Sequence, residues 1–333
     1  MDEFWVMAKP IILSGIQPTG NFHVGNYLGA VRNWLRLQDS GQYEMYILIP
    51  DLHSLTGELA SDERRRLMVT AAAELLALGL DPDKVTIFVQ SHVPEHAELA
   101  WIFNCITPVA ELYRMTQFKD KAERQEKNIN TGLLTYPILQ AADILLYRAT
   151  VIPVGQDQVQ HVELTRDIAR WFNRRFGQYF PEPEHLLSAV PKVMSLLYPE
   201  KKMSKSHGPE SVIELADEPE IIENKLKKAP TATAGGSGSP GAQNLLLLLE
   251  HFGDTGAYAG FAAAEQDGSI RYGELKQAVA AAVSGFFAGF RERRLELMAD
   301  PGRVEQILEQ GANRARHKAA ETMAEVRRLA GLR

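Results

Sequence analysis

The sequence predicts an α/β protein, a doubly wound parallel sheet followed by an all-helical segment. Three observations predict it. Short apolar runs alternate with helix-period segments through the first ninety residues, strand-like runs disappear after Lys205, and long helical patterns fill the rest. Pro10-Ile11-Ile12-Leu13-Ser14-Gly15 reads as the first buried strand. Asn26 to Gln38 follows with Leu28, Val31 and Leu35 at helical spacing, and Met45 to Ile49 is the second strand. Ser61, Asp62 and Glu63 start another helix, Gly79 and Asp81-Pro82 stop it, and Val85 to Val89 is the third strand. Right-handed βαβ units of this kind collect ligands at the carboxyl ends of their strands.

Past Lys205, helical periodicity covers 220–228, 244–251, 274–298, 303–311 and 314–330, while Thr233 to Gln243 is a Gly/Ser-rich loop. The expected division is 1–209 for the sheet domain and 210–333 for the helical one, with the last helix packing back on the first. No internal repeat is present.

Composition limits the function classes. The 333 residues are 45% hydrophobic and 23% charged, enough for a full core. No apolar run approaches the roughly 20 residues that span a bilayer, and MDEFWVMAKP lacks the basic start and apolar region of a signal peptide. The expectation is a cytoplasmic protein without membrane contact. A single cysteine, Cys105, excludes an intramolecular disulfide and a cysteine-rich metal site, and reads as a small buried apolar residue. His92 and His96 have metal-like spacing, but Pro94 breaks any shared helix, so no metal ligands are expected. The net charge of -6 opposes a generally basic surface and leaves room for a local patch.

Two segments carry chemistry. Pro18-Thr19-Gly20-Asn21-Phe22-His23-Val24-Gly25-Asn26 sits at the carboxyl end of the first strand. Gly20 and Gly25 have Walker A spacing, yet Asn26-Tyr27 stands where Lys and Ser/Thr belong, so it is no P-loop. It is either a capped turn or a phosphate loop that offers free amides at a helix start, with His23 and Asn26 as side-chain donors. The second segment is Lys202-Met203-Ser204-Lys205-Ser206, whose ammonium groups and hydroxyls suit a polyphosphate. Its chance occurrence in a chain of this size is on the order of one in ten thousand.

Together these segments resemble the His-x-Gly-His and Lys-Met-Ser-Lys-Ser signatures of class I aminoacyl-tRNA synthetases, in their usual order. The resemblance extends to the bacterial tryptophanyl-tRNA synthetase family through SGIQPTG at Ser14 to Gly20, MTQFKDK at Met115 to Lys121 and GLLTYPILQAADILLY at Gly132 to Tyr147. IPVGQDQ at Ile152 to Gln158, HVELTRDIA at His161 to Ala169 and the helical tail continue it. It implies a Rossmann-like catalytic domain with a helical dimer-contact segment near 105–150, and an anticodon-binding helical domain. It implies ATP as substrate, with Mg2+ bound through the phosphates, and L-tryptophan, tRNA(Trp) and a second copy in a homodimer as partners.

Carried over residue by residue, the resemblance implies ATP contacts at Gln17, Pro18, Thr19, Gly25, Asn26, Gly155, Gln156 and Asp157. Val193 would lie beside the adenine, and Lys202, Met203, Ser204, Lys205 and Ser206 over the phosphates. His23, Asn26, Lys121, Lys202 and Lys205 would stabilise the developing charge. Tyr136, Gln158, Gln140, His53, Leu13 and Gln17 would surround tryptophan, and Asp143 would accept the indole N–H, because tryptophan offers one side-chain donor and no acceptor. Residues 291–333 carry ten Lys/Arg against seven Asp/Glu, with Arg314, Arg316 and Lys318 together, a balance compatible with an anticodon stem.

Three positions depart from the family pattern. Asn26 replaces the last His of the first signature, as is common in the tryptophan branch. Gln156 stands where many relatives have Glu, and Gln140 where several have Met. Tyr136, Gln140 and Asp143 also resemble the pocket of archaeal tyrosyl enzymes, so a tyrosyl-tRNA synthetase is one alternative. A tryptophan-binding paralogue without tRNA charging is another.

Overall fold

The computed structural model of the chain describes residues 9–116, 130–187, 192–231 and 238–332. Lys121 lies outside the described residues. Five strands, β1 (Ile11–Gly15), β2 (Glu44–Ile49), β3 (Val85–Val89), β4 (Val151–Val154) and β5 (Glu184–Leu187), form one parallel sheet. The order is β3-β2-β1-β4-β5. The chain winds one way from β1 to β3 and the other way through β4 to β5, so the strand order reverses between β1 and β4. Gln17 to Thr19 leave the carboxyl end of β1, and Gly155 to Gln158 leave that of β4, so both segments belong to this reversal. The near-continuous apolar sequence of β2 follows from burial on both faces, since Met45 to Ile49 are all buried.

By contact the chain forms two compact units, 1–20 with 33–188 and 300–333, and 21–32 with 189–299. They are not the consecutive segments 1–209 and 210–333. Residues 192–209 cluster with the helical unit through bonds such as Met194 N to Asn244 Oδ1 and Leu196 N to Ser211 O, and residues 21–32 through their pairing with 213–215. Val24 N donates to Ile213 O at 3.0 Å and Leu215 N to Phe22 O at 2.8 Å. Residues 300–333 cluster with the sheet, where Ala312, Ala315, Ala319, Met323 and Val326 join its core.

Two expected helices, 303–311 and 314–330, are one helix, Pro301–Ala330. Gly311 lies inside that helix although glycine is a poor helix former. Its place there is explained by close approach, since a Cβ would stand 1.8 Å from the Ile87 carbonyl oxygen of β3. The expected helix 274–298 is two, Tyr272–Phe286 and Ala288–Ala299, separated at Phe287. The helix expected at 244–251 starts earlier, as Pro240–Phe252, because the Ser239 side chain accepts Ala242 N–H and Pro240 fits the first turn.

Cys105 is exposed, contrary to the buried expectation. It caps the end of the helix Glu95–Asn104, where its N–H closes the last turn on Trp101 and Ile102 and its side chain faces solvent.

Candidate active site

In the helical unit, His23, Gly25 and Asn26 build a reciprocal cap. His23 Nδ1 accepts Gly25 N–H at 3.1 Å, and Asn26 Oδ1 accepts His23 N–H at 3.0 Å. Val24 N donates to Ile213 O, and Asn26 N and Tyr27 N donate to His23 O. The first-turn amides are therefore spent inside the fold, which corrects the expectation that they are free for phosphate. What the cap leaves outward is side-chain chemistry. With Nδ1 accepting, the neutral His23 ring carries its proton on Nε2, and Asn26 keeps its Nδ2 amide as donor. The capped-turn reading holds, and the cap fixes which end of each side chain can donate.

Burial lowers the His23 pKa to about 4, with the Lys205 charge adding to it and Glu214 partly opposing, so the ring is neutral at physiological pH. Gly25 belongs here for space. A Cβ would come within 3.0 Å of the His23 ring and 3.8 Å of Met203 Cβ. Tyr27, in the π-helical turn Tyr27–Val31, is gripped by aromatic rings, 5.1 Å from Phe287 and 5.6 Å from Phe286, which anchors the segment.

The second signature packs in the same unit. Met203 is buried and its N–H pairs with Val193 O at 2.9 Å, which sets Val193 under the loop; Lys202 bridges to Met194. Ser204 Oγ and Ser206 Oγ are 2.9 Å apart, and Ser211 Oγ donates to Ser204 O at 3.1 Å. Lys205 Nζ donates to the Asn21 carbonyl and lies 3.4 Å from Glu214 Oε1. Asn21 and Glu214 are functional candidates that sequence reading missed, because nothing near either of them in the chain marks a partner about 190 residues away.

In the sheet unit, Asp143 is 2% exposed and accepts three hydrogen bonds. His53 Nε2 reaches Oδ2 at 2.9 Å, and Gln90 Nε2 and His96 Nδ1 reach Oδ1 at 2.7 and 2.6 Å. His96 Nε2 meets Tyr147 Oη at 2.8 Å. Burial alone would raise the Asp143 pKa, but the contacts with His96 and His53 outweigh it and hold the carboxyl well below its usual range. A carboxylate offers about four acceptor positions, so one on Oδ2 is left for a further donor. His96, noted for metal-like spacing with His92, is a carboxylate partner; His92 gives its carbonyl to Arg316 at 3.0 Å.

Tyr136 shares the helix Thr131–Leu146 with Asp143, and its hydroxyl meets His161 Nε2 at 3.0 Å. Burial pushes its pKa up to about 12, so it stays a phenol. His53 and Tyr136 border a cavity of about 310 Å³, lined also by Leu52, Ala100, Trp101 and Leu139. Leu13, in β1, belongs to the core, and Gln140 is half-buried one turn before Asp143. Gln17 and Thr19 are exposed and Pro18 is buried. Gln156 and Asp157 are exposed after Gly155, and Gln158 Nε2 donates to Asp157 Oδ2 at 3.3 Å. His96 drew notice in the sequence only for its spacing from His92, whereas Gln90, Tyr147 and His161 each look like an ordinary core residue until the fold brings them to Asp143, His96 and Tyr136 respectively.

Arg314 and Arg316 of the last helix have partners within the fold. Arg314 donates to Pro82 O at 2.8 Å, and Arg316 to His92 O and Glu309 at 3.0 and 2.6 Å, so both spend donors within their own unit.

Residues 7–288 match the family described as tRNA synthetases class I (W and Y). The chain is 46% identical over 326 residues to tryptophan–tRNA ligase 2 of Streptomyces avermitilis, covering 95% of each chain. It is 44% identical over 324 residues to tryptophan–tRNA ligase of Corynebacterium glutamicum, covering 95% of this chain and 92% of that one. Among solved structures it is similar to tryptophanyl-tRNA synthetase from Campylobacter jejuni complexed with ADP and tryptophan, with TM-score 0.86, 32% identity, and 97% and 100% of the two chains covered. With its parallel sheet, its two signature segments and these likenesses, the chain belongs to the class I tRNA synthetases of the tryptophan and tyrosine group.

Proposed function

We propose that this chain is a tryptophan–tRNA ligase, which activates L-tryptophan with ATP to tryptophanyl-adenylate and pyrophosphate and then transfers the tryptophanyl group to the terminal ribose of tRNA(Trp). The observation that carries the reading is Asp143, a buried carboxylate fixed by three donors with one acceptor position left on Oδ2. An indole N–H fills one acceptor position, and a ligand without that donor leaves a buried polar site unpaired. Tyr136, with an oxygen able to accept while it pairs with His161, suits the ammonium group together with Gln158. His53, Leu13, Gln140 and Gln17 complete the proposed amino-acid set.

For ATP, the proposed contacts are Gln17 to Thr19 and Gly155 to Asp157 in the sheet unit. In the helical unit they are His23, Gly25, Asn26, Val193 and Lys202 to Ser206. The donors there are ammonium, imidazole N–H and carboxamide, which match phosphate oxygens rather than a cation. Mg2+ is therefore proposed to arrive on the phosphates and to neutralise part of their charge. Tryptophan's own carboxylate attacks the α-phosphorus, so no protein nucleophile is needed. The protein's share is alignment and charge stabilisation by His23, Asn26, Lys202 and Lys205, with Lys121 from outside the described residues.

A homodimer and a cytoplasmic location complete the proposal. Trp101 is 70% exposed and Leu55, Val109 and Tyr113 are exposed on the same unit, apolar area that a second copy would cover. A lone, unpaired cysteine fits a reducing compartment.

The test is amino-acid-dependent ATP–pyrophosphate exchange with tryptophan and tyrosine side by side, then charging of tRNA(Trp). Exchange and charging with tryptophan are expected. Exchange with tyrosine alone would assign a tyrosyl enzyme, and tryptophan exchange without charging would assign a paralogue.

A further inference from the structure

Glu214 places a carboxylate between the two signature segments, beside Asn21 of the first and Lys205 of the second. Its Oε1 lies 3.4 Å from Lys205 Nζ, with the two side chains 25% and 27% exposed, so the pair is only partly screened by solvent. Its Oε2 accepts Asn21 Nδ2–H at 2.8 Å, and Lys205 also donates to the Asn21 carbonyl. Asn21 is fixed in turn by Arg294, whose Nη2 donates to Asn21 Oδ1 at 3.1 Å.

The backbone around Glu214 is equally fixed. Its N–H donates to Asp217 Oδ2 at 2.9 Å, and that same oxygen takes Lys225 Nζ at 2.6 Å in a buried pair. Ile213 and Leu215 on either side pair with Val24 and Phe22. The carboxylate is therefore held in place beside His23 and Lys205.

A fixed anion beside a polyphosphate site opposes ATP binding either by direct repulsion or by holding the cation that would meet the phosphates. If Lys205 rests on Glu214 before ATP arrives, binding the phosphates requires breaking that pair. A cost met on binding weighs equally on bound ATP and on the transition state, so it raises Kd and KM and leaves kcat nearly unchanged.

We propose that Glu214, aimed by Asn21, is a positioning residue that parks Lys205 against the Asn21 carbonyl until the polyphosphate displaces it. This rests on the phosphate role of Lys205 given under Proposed function. Wild type, Glu214→Gln, Lys205→Ala and the double variant are compared by calorimetric ATP binding without amino acid, and by pyrophosphate exchange. Glu214→Gln keeps an acceptor for Asn21 and deletes the charge. It is expected to lower Kd and KM for ATP about fivefold, with a smaller change in kcat.

The tightening is expected to vanish in the Lys205→Ala background. Equal tightening there would mean simple repulsion of phosphates and overturn the proposal. A raised KM, or a loss of kcat accompanied by a lower melting temperature, would assign Glu214 a scaffold role and overturn it too. Asn21→Ala, which leaves the backbone acceptor and removes the donor that aims Glu214, is expected to tighten ATP binding to a lesser degree; weaker binding counts against the proposal. If no amino acid supports exchange while Lys205-dependent tightening persists by calorimetry, the ligase reading fails and the parking role stands.

Discussion

His96 Nδ1 and Asp143 Oδ1 are 2.6 Å apart although 47 residues separate them in sequence, and neither residue is more than 2% exposed. The bond ties the helix Glu95–Asn104 to the helix Thr131–Leu146. Asp143→Ala leaves the donors of His53, His96 and Gln90 buried without their acceptor. A stability loss of about 3 to 5 kcal/mol is expected by chemical denaturation. The preference for tryptophan over other aromatic amino acids in exchange is expected to fall by about a hundredfold or more.

His23 gives a pH dependence of defined sign. Its folded-state pKa is about 4 against 6.5 unfolded, so between these values the unfolded chain binds a proton that the folded one refuses. Stability is full above pH 6.5 and declines as pH falls toward 4, by about 3 kcal/mol in all. Melting temperatures of wild type and His23→Asn should diverge across this window, with the variant showing the shallower decline. Parallel curves would show that His23 is not the group responsible.

At Gly25, space matters more than flexibility. Gly25→Ala sets a methyl group 3.0 Å from the His23 ring, which must turn away from its cap. The adenylation rate is expected to fall about tenfold or more, as misplaced charge-stabilising donors do. Thermal stability should change little, because alanine favours the helix by roughly 1 kcal/mol. Single-turnover adenylation beside a melting curve separates the two.

Gly311→Ala sets the same preference against a harder obstacle. Helix propensity again favours alanine by about 1 kcal/mol. The methyl would be 1.8 Å from a backbone carbonyl oxygen in β3, and only a shift of the helix can relieve that contact. Overpacking costs about 1 to 3 kcal/mol and more where backbone must move, so net destabilisation is expected in urea. A stabilised variant would mean that the helix does not press on β3.

Trp101→Glu tests the dimer. A charge on a 70% exposed side chain is neutral for a monomer and disruptive for an apolar contact between copies. Sedimentation is expected to show a dimer for wild type and a shift to monomer for the variant. A wild-type monomer would remove this part of the proposal.

Local pattern was enough to read the first three strands, because their apolar residues recur at the spacing of a buried parallel sheet. β4 and β5 escaped as strands. β4 contains Pro153, and β5, Glu184–Leu187, is a largely exposed edge whose sequence carries no burial signal. The family and both signatures were also legible, since Lys-Met-Ser-Lys-Ser and the Gly/His/Asn loop are contiguous in the chain.

The sequence by itself determined the fold class, the two signature segments and Asp143 as a carboxylate in an apolar helix. Only the tertiary structure decided which donors satisfy that carboxylate, that the first-turn amides are already spent, and that Glu214 and Asn21 hold Lys205. It also decided that Gly311 marks a close approach and that Arg314 and Arg316 fasten the last helix. The physical reason is the same in each case. Periodicity and motifs report on neighbours along the chain, whereas hydrogen bonds and close packing join residues tens to hundreds of positions apart, and their partners exist only once the chain has folded.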